Sequence, residues 1–552
     1  MTNYQFTGGT ICAPATIPGT GAISIIRVSG KESLAIADKV IDTKGVPIAE
    51  TEGYRLRYGT VFEADGSVLD NVIVSVFRAP HSYTGENSVE ISCHASRFIV
   101  NKILELLVNA GARIAAPGEF TRRAFVNGKM DLAQAEAVAD VIASQSAASH
   151  RVAMNQLKGG FSSELKVLRE KLLTMTSLLE LELDFSEEDV EFASRKELGQ
   201  LVDDSLTHIR RLTASFSRGN AIKNGVPVAI VGATNTGKST LLNALLGEER
   251  AIVSDIAGTT RDTIEETLNI DGILFRFIDT AGIRETDETI EKIGIDRTFK
   301  KLGEAAVVLG MTDLSRGEAA VLEDADFILS KVNEMGGVKN VGLAIDGAET
   351  GGAPLAGTGG ASPAETDGTS LVETGGASQH GHGDGQERKV VILVNKCDVA
   401  GDFYRDDNGT GYGSGNDLGE NMAEISDNKN VNHDNNIVSL IENKYDNCKV
   451  IPISAKTGKG LSTLTKTLGE IGSEITGSTD ETLVTNVRHY EALVRAASAL
   501  ERVRAGLHIA TLPPDLIAQD LREALYHLGE IVGEISTDET LGNIFRNFCI
   551  GK

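Results

Sequence analysis

The sequence predicts a multidomain protein of mixed α/β and all-α parts: an N-terminal α+β domain, a helical bundle, and an α/β domain inserted into that bundle. Three observations predict it. At 552 residues the chain is too long for one ordinary core, because domains cluster near ~100–200 residues, so about three or four units are expected. The hydrophobic period changes along the chain, from short β-rich runs to long helical spacing, then to alternating strands and helices, and back to helices. The two helical stretches flank the alternating one, and the simplest arrangement packs them together around the insertion.

Each element follows in order. Over residues 1–127, runs such as "AISIIRVSG" and "NVIVSVFRAP" alternate with turn residues and one helical run, "SRFIVNKILELLVNAGA"; this is an α+β domain. Residues 128–222 carry "LAQAEAVADVIASQSAASHRVAMNQL" and "LKVLREKLLTMTSLLELELDF", with helical spacing and almost no Gly or Pro, the first part of a bundle. Residues 223–478 alternate apolar strands with helices, and residues 479–552 return to helix. Two stretches of the third unit read as disordered surface insertions. Between Gly342 and Gln386 there are six acids and no Lys or Arg, with "ETGGAP" echoed by "ETGGAS". Such composition cannot bury enough apolar surface to offset its ordering entropy. The second, near 401–436, is rich in Asn, Asp and Gly.

Composition narrows the function. The 53 Lys+Arg against 78 Asp+Glu leave a net charge of −25, a field that repels a phosphate backbone and disfavours autonomous tight nucleic-acid binding. Five scattered cysteines, with no CxxC or zinc spacing, suggest reduced thiols. The start has no basic and apolar leader, and no run approaches ~18 apolar residues. A cytoplasmic protein is expected.

The richest motif follows the strand-like "VPVAIV". "GATNTGKST" fits G-x-x-x-x-G-K-[ST], with Gly232, Gly237, Lys238 and Ser239, and includes Asn235 and Thr240. Glycines let backbone N–H groups wrap phosphates, Lys238 reaches the β- and γ-phosphates, and Ser239 offers a hydroxyl to Mg²⁺. Three further pieces come in the order a guanine-nucleotide hydrolase needs. "DTAG", from Asp279 to Gly282, places a carboxylate by the Mg²⁺ shell and a glycine N–H at the γ-phosphate. "NKCD", comprising Asn395, Lys396, Cys397 and Asp398, lets Asp398 accept both N–H groups of the guanine edge, a pattern adenine lacks. "SAK", Ser454, Ala455 and Lys456, can close over the base. Ile283 stands where Ras-like proteins carry a water-orienting Gln, so the hydrolytic group must come from elsewhere. Glu291 is one candidate, although its residues alone read rather as a solvated acid on an exposed helix in a run of acids.

"PGEFTRRAFVNGKMDLAQAEAVADVI", "DIAGTTRDTIEE", "DTAGIRETDETIEKIGI" and the terminal "FCIGK" together resemble the MnmE (TrmE) family of tRNA-modification GTPases, over nearly the whole chain except the two insertions. The resemblance implies an N-terminal domain that binds a tetrahydrofolate derivative and forms a homodimer, a helical domain, and an inserted P-loop, Ras-like GTPase domain. It implies that Asn235, Ser254, Ile256 and Thr259 hold K⁺, that Thr260 joins Ser239 on Mg²⁺, and that Glu291 positions the attacking water. For the folate it points to Arg27, Glu90, Lys129 and Lys552; cations suit a glutamyl tail and a carboxylate suits a pterin edge, whereas Arg27 and Lys129 alone would read as surface charge. The activity implied is potassium-dependent GTP hydrolysis coupled to installing an aminomethyl or carboxymethylaminomethyl group at C5 of the wobble uridine of certain tRNAs. The implied partner is the flavoprotein MnmG (GidA), in a heterotetramer-type complex that carries much of the tRNA contact. A regulatory GTPase switch, or a folate-dependent methyltransferase with a vestigial GTPase domain, are the competing readings.

Cys549 in "CIGK" first suggests a lipidation box, but Gly551 and Lys552 do not fit its last two places, and no membrane anchor is expected. It is then either packing, beside Ile544, Phe545, Phe548 and Ile550, or, as the resemblance implies, a catalytic thiol at the folate pocket.

Overall fold

The computed structural model describes residues 8–184, 195–249, 266–278, 304–334, 388–398, 437–445, 448–477, 481–508, 513–535, 538–546, 548 and 551. Both expected insertions, 342–386 and 401–436, lie outside the described residues. Two compact units result: Met1–Asn224 with Ile475–Lys552, and Gly225–Glu474.

The first unit begins with a seven-stranded sheet in the order β3-β4-β5-β6-β2-β1-β7. Its strands are β1 (Ile11–Pro14), β2 (Ile23–Ser29), β3 (Ile41–Asp42), β4 (Arg55–Phe62), β5 (Val68–Phe77), β6 (Ser88–His94) and β7 (Arg113–Ile114). Alternation explains the strands: in β5, Val72, Val74 and Val76 are buried while Asn71 and Ile73 are exposed, the period-2 pattern of a sheet with one covered face. The cover is α1 (Ser33–Val40) and α2 (Arg97–Asn109), which bury Ile36, Ile103 and Leu107 against Ile26, Val74 and Ile91. A short α3 (Glu119–Val126) follows. The run from Leu132 that reads as continuous helix is broken into α4 (Leu132–Ala143) and α5 (Ala147–Leu157). The reason is local: Ser146 accepts from the Ser149 backbone N–H in a capping box, and serines of this kind draw the backbone out of helix. Then come α6 (Gly160–Asp184), α7 (Arg195–Ala214) and α8 (Phe216–Asn224).

The second unit holds a six-stranded sheet in the order β13-β12-β11-β8-β10-β9. Its elements are β8 (Val226–Gly232), α9 (Lys238–Glu249), β9 (Glu266–Ile270), β10 (Ile273–Ile278), β11 (Val307–Asp313), α10 (Glu318–Glu334), β12 (Lys389–Asn395), α11 (Ile437–Lys444), β13 (Lys449–Pro452) and α12 (Leu461–Thr476). Among the described strands of this sheet, β9 with β10 pairs antiparallel and the other neighbours pair parallel. Every residue of β11 and β12 is buried, as expected of parallel strands covered on both faces. This is the α/β nucleotide-binding architecture expected after "VPVAIV".

The chain returns as α13 (Val487–Leu507), α14 (Pro514–Val532) and α15 (Asp538–Arg546). Leu165, Leu172 and Leu179 of α6, Val202, Leu206 and Ile209 of α7, Leu493, Leu500 and Val503 of α13, and Leu521 and Leu528 of α14 form one core. Residues separated by hundreds of positions thus complete one bundle. Among the described residues, no helix is long and apolar enough to cross a membrane.

Candidate functional site

In the second unit, β8, β11, β12 and β13 run parallel, so their carboxyl ends, Gly232, Asp313, Asn395 and Pro452, share one edge of the sheet. That edge is where open α/β sheets bind ligands. The phosphate loop spans the turn from β8 to α9, with Asn235 at φ +60° and Gly237 at φ +99°. Gly237 is required on two grounds: its φ suits glycine, and a Cβ there would strike the Asn395 amide nitrogen. The Lys238 ammonium donates to the carbonyls of Gly232 at 2.9 Å and Ala233 at 2.7 Å, and burial pushes its pKa down. It caps the loop from within, where an anion would compete for the same charge.

Asn395 ties three motifs together. Its Nδ2 donates to the Thr236 carbonyl at 2.7 Å and its Oδ1 accepts from the Ala455 N–H at 3.0 Å, so "NKCD" holds the phosphate loop and the "SAK" segment in one frame. Ser454 is buried and its Oγ accepts from the Thr457 N–H at 3.3 Å. Lys396 lies at φ +64° and donates to Asp313 Oδ2 at 2.6 Å. Ser239 and Asp398 are half-buried, while Asn235, Thr240 and Lys456 are exposed. Ser254, Ile256, Thr259, Thr260, Asp279, Gly282 and Glu291 lie outside the described residues.

In the first unit, Arg27 on β2 stands directly across from Glu90 on β6. Its Nε and Nη2 donate to Glu90 Oε1 at 2.9 and 2.8 Å. The guanidinium lies 5.1 Å from the Tyr83 ring centroid and 5.7 Å from that of Phe120, within cation–π range. Its Nη1 also reaches the Gly551 carbonyl at 3.4 Å. Gly551 is buried at φ +99°, and a Cβ on it would collide with the Pro14 carbonyl, so Gly551 is seated against the end of β1. Upstream, Phe545 and Phe548 pack on Leu132 and Ala135 of α4. Lys129 is exposed and donates to the Pro80 carbonyl at 3.1 Å; its stem lies 3.3 Å from where a Gly85 Cβ would sit, beside the loop that carries Tyr83. Cys549 and Lys552 lie outside the described residues.

Sequence reasoning missed Tyr83, Phe120 and Asp313. The first two carry no motif of their own. Asp313 had a faint signal, an acid followed by "LS" at the end of an apolar run, the pattern of a side-chain cap.

Residues 10–129 match the model described as the GTP-binding protein TrmE N-terminus, and residues 132–549 match the MnmE helical domain. The chain is 45% identical to the tRNA modification GTPase MnmE of Parabacteroides distasonis, covering 98% of this chain and 100% of that protein. It is 42% identical to the protein of the same name from Porphyromonas gingivalis, over 100% of this chain and 99% of that one. Among solved structures, a GTP-binding protein of Sulfolobus solfataricus in complex with GDP aligns at 14% identity over 56% of this chain and 67% of that chain, with a TM-score of 0.25, too low to argue from.

Proposed function

The chain belongs to the MnmE family of tRNA modification GTPases and is a GTP hydrolase of tRNA modification, and on that premise we propose that it is a potassium-dependent enzyme which, with the flavin-dependent partner MnmG (GidA), installs the aminomethyl or carboxymethylaminomethyl group at C5 of the wobble uridine of certain tRNAs. It works in the cytoplasm as a homodimer, takes its one-carbon unit from a tetrahydrofolate derivative, and meets tRNA through the complex. The net charge of −25 suits that division of labour.

Among the described residues, the phosphate loop suits a nucleotide and offers Ser239 toward Mg²⁺ and Asn235 toward K⁺. In the loop from Gly232 to Lys238 a Cβ at Gly237 would strike the Asn395 amide that holds the Thr236 carbonyl, and Ser239 follows the loop with a hydroxyl for Mg²⁺. A bound K⁺, held by Asn235 with Ser254, Ile256 and Thr259, would add positive charge beside the β- and γ-phosphates, as an arginine finger does elsewhere. With nucleotide and metal bound, Lys238 would neutralise the phosphates, Asp279 and Thr260 would complete the Mg²⁺ side, Asp398 would read the guanine edge, Gly282 would meet the γ-phosphate, and Glu291 would orient water.

The observation that carries the modification reading is the convergence on Arg27. Its guanidinium joins Glu90, two aromatic rings and the carbonyl of Gly551. A cation and a carboxylate framed by flat apolar rings suit a charged pterin derivative, with Lys129 and Lys552 for its glutamyl tail. The test is mass spectrometry of tRNA nucleosides from a strain lacking the protein, complemented with wild type or Arg27→Ala. Wild type alone should restore the C5 group. Full restoration by Arg27→Ala, or unaltered wobble uridines in the deletion strain, refutes the reading.

A further inference from the structure

We propose that Asp313 is a positioning residue for the guanine nucleotide, acting through Lys396; this rests on the reading of "NKCD" as the guanine-recognition segment. The geometry begins with register. β11 and β12 are parallel neighbours, and Asp313 lies across from Asn395, so the last residue of one strand meets the first residue of the recognition segment. The Asp313 carboxylate is divided between two tasks. Oδ1 accepts from the Ser315 N–H at 3.0 Å and its Oγ at 2.6 Å, which caps the 3-10 turn Leu314–Arg316. Oδ2 accepts from the Lys396 ammonium at 2.6 Å. The turn accounts for one oxygen only; the other is committed to the lysine.

Lys396 needs such a partner. It sits at φ +64°, a conformation that costs energy for a side chain with a Cβ, and its long stem carries several rotamers that must be fixed before they can serve as a surface. Asp313 is 5% exposed and held on its other oxygen, so it offers a rigid anchor. Fixing the ammonium there fixes the methylene stem, and a preordered apolar stem beside the edge-reading Asp398 can lie on the flat face of a base without further ordering cost. Asp313 itself has both oxygens engaged within the protein, so its influence on the nucleotide passes through Lys396.

The experiment measures dissociation of N-methylanthraniloyl-GDP from the full chain, with circular dichroism confirming that each variant is folded. Asp313→Asn keeps an acceptor for Ser315 and removes the charge that holds Lys396. The expected result is release about tenfold faster than wild type, and a change within about twofold when the same substitution is made in a Lys396→Met background, because coupled residues are non-additive. Asp313→Glu, which retains the charge, recovers part of the lifetime. Equal losses in both backgrounds would mean that Asp313 serves only the turn, and an unchanged lifetime in the single variant would mean that it serves neither; each overturns the proposal. Failure of the underlying reading looks different: wild type would hold GDP no better than ADP, and both ideas would fall together.

Discussion

Replacing Glu136 by glutamine tests whether a buried charge cluster, and not apolar packing alone, locks the helices of the first unit. Glu136 on α4 accepts from Arg488 Nε at 3.0 Å and Nη2 at 2.9 Å, and its Oε2 meets His489 Nε2 at 2.6 Å. The same guanidinium donates to the Glu530 and Ile531 carbonyls at 2.7 and 3.0 Å, closing the end of α14 where carbonyls lack helical partners. Burial pushes the Glu136 carboxyl up, but His489 and Arg488 outweigh it and bring the pKa from 4.5 to about 2. At ~1.4 kcal/mol per pH unit, this depression corresponds to about 3 kcal/mol. Removing one member of a buried pair costs about 3–5 kcal/mol by comparison with other proteins, so the two routes agree. A carboxyl depressed in the folded state stabilises above its unfolded value of 4.5, and that contribution is lost as the pH falls through about 2. Urea unfolding followed by circular dichroism should therefore show Glu136→Gln less stable than wild type by about 3 kcal/mol near neutrality, with the gap closing progressively on acidification below the unfolded-state value. A gap under ~0.5 kcal/mol near neutrality, or one that does not change on acidification, refutes the reasoning.

Three further outcomes are expected. GTP turnover should be much faster in K⁺ than in Na⁺ at equal ionic strength; equal rates in steady-state phosphate release would remove potassium from the mechanism. Glu291→Ala should leave nucleotide affinity nearly intact and slow hydrolysis strongly, the pattern of a group used in the transition state; a loss of affinity with turnover unchanged would make the residue structural. Cys549→Ser should preserve folding, dimerisation and GTP hydrolysis while abolishing wobble modification, measured by nucleoside mass spectrometry in a strain carrying only the serine variant; normal modification there would leave Cys549 as packing.

What the sequence disclosed depended on how local each cause was. The strands "VPVAIV" and "VVILV" are apolar runs with turn residues behind them, and both appear as β8 and β12, because burial on both faces of a parallel sheet demands that composition. The phosphate loop was legible for the same reason: its backbone conformation needs glycine at a fixed place. The break between α4 and α5 was not, since alanine-rich spacing continues through it and only the Ser146 cap diverts the chain. The helical bundle could be read as amphipathic pieces, but not the meeting of Glu136 with Arg488 and His489, which lie 352 and 353 residues away. Charges paired across such a span carry no periodicity.

The Arg27 site shows the same division more sharply. Read alone, Arg27 in "IIRVSG" is a cation on an alternating strand, with no reason to be other than surface charge. The fold makes it something else by bringing four separate segments to one guanidinium: Glu90 from the neighbouring strand, Tyr83 from the loop before it, Phe120 from α3, and Gly551 from beyond α15. The segment that carries Gly551 is tied down specifically. Phe545 and Phe548 bury against α4, and Gly551 adopts a left-handed φ against the Pro14 carbonyl where no side chain fits. The segment "FRNFCIGK" therefore pairs anchors with a seat: two aromatics on one side of Cys549 and a glycine that no side chain can replace on the other. With both flanks fastened, Phe545 and Phe548 to α4 and Gly551 to the end of β1, the segment that carries Cys549 reaches Arg27 on β2 through the Gly551 carbonyl, and that nearness to the proposed folate site is the physical argument for testing Cys549 by its chemistry and not by stability alone.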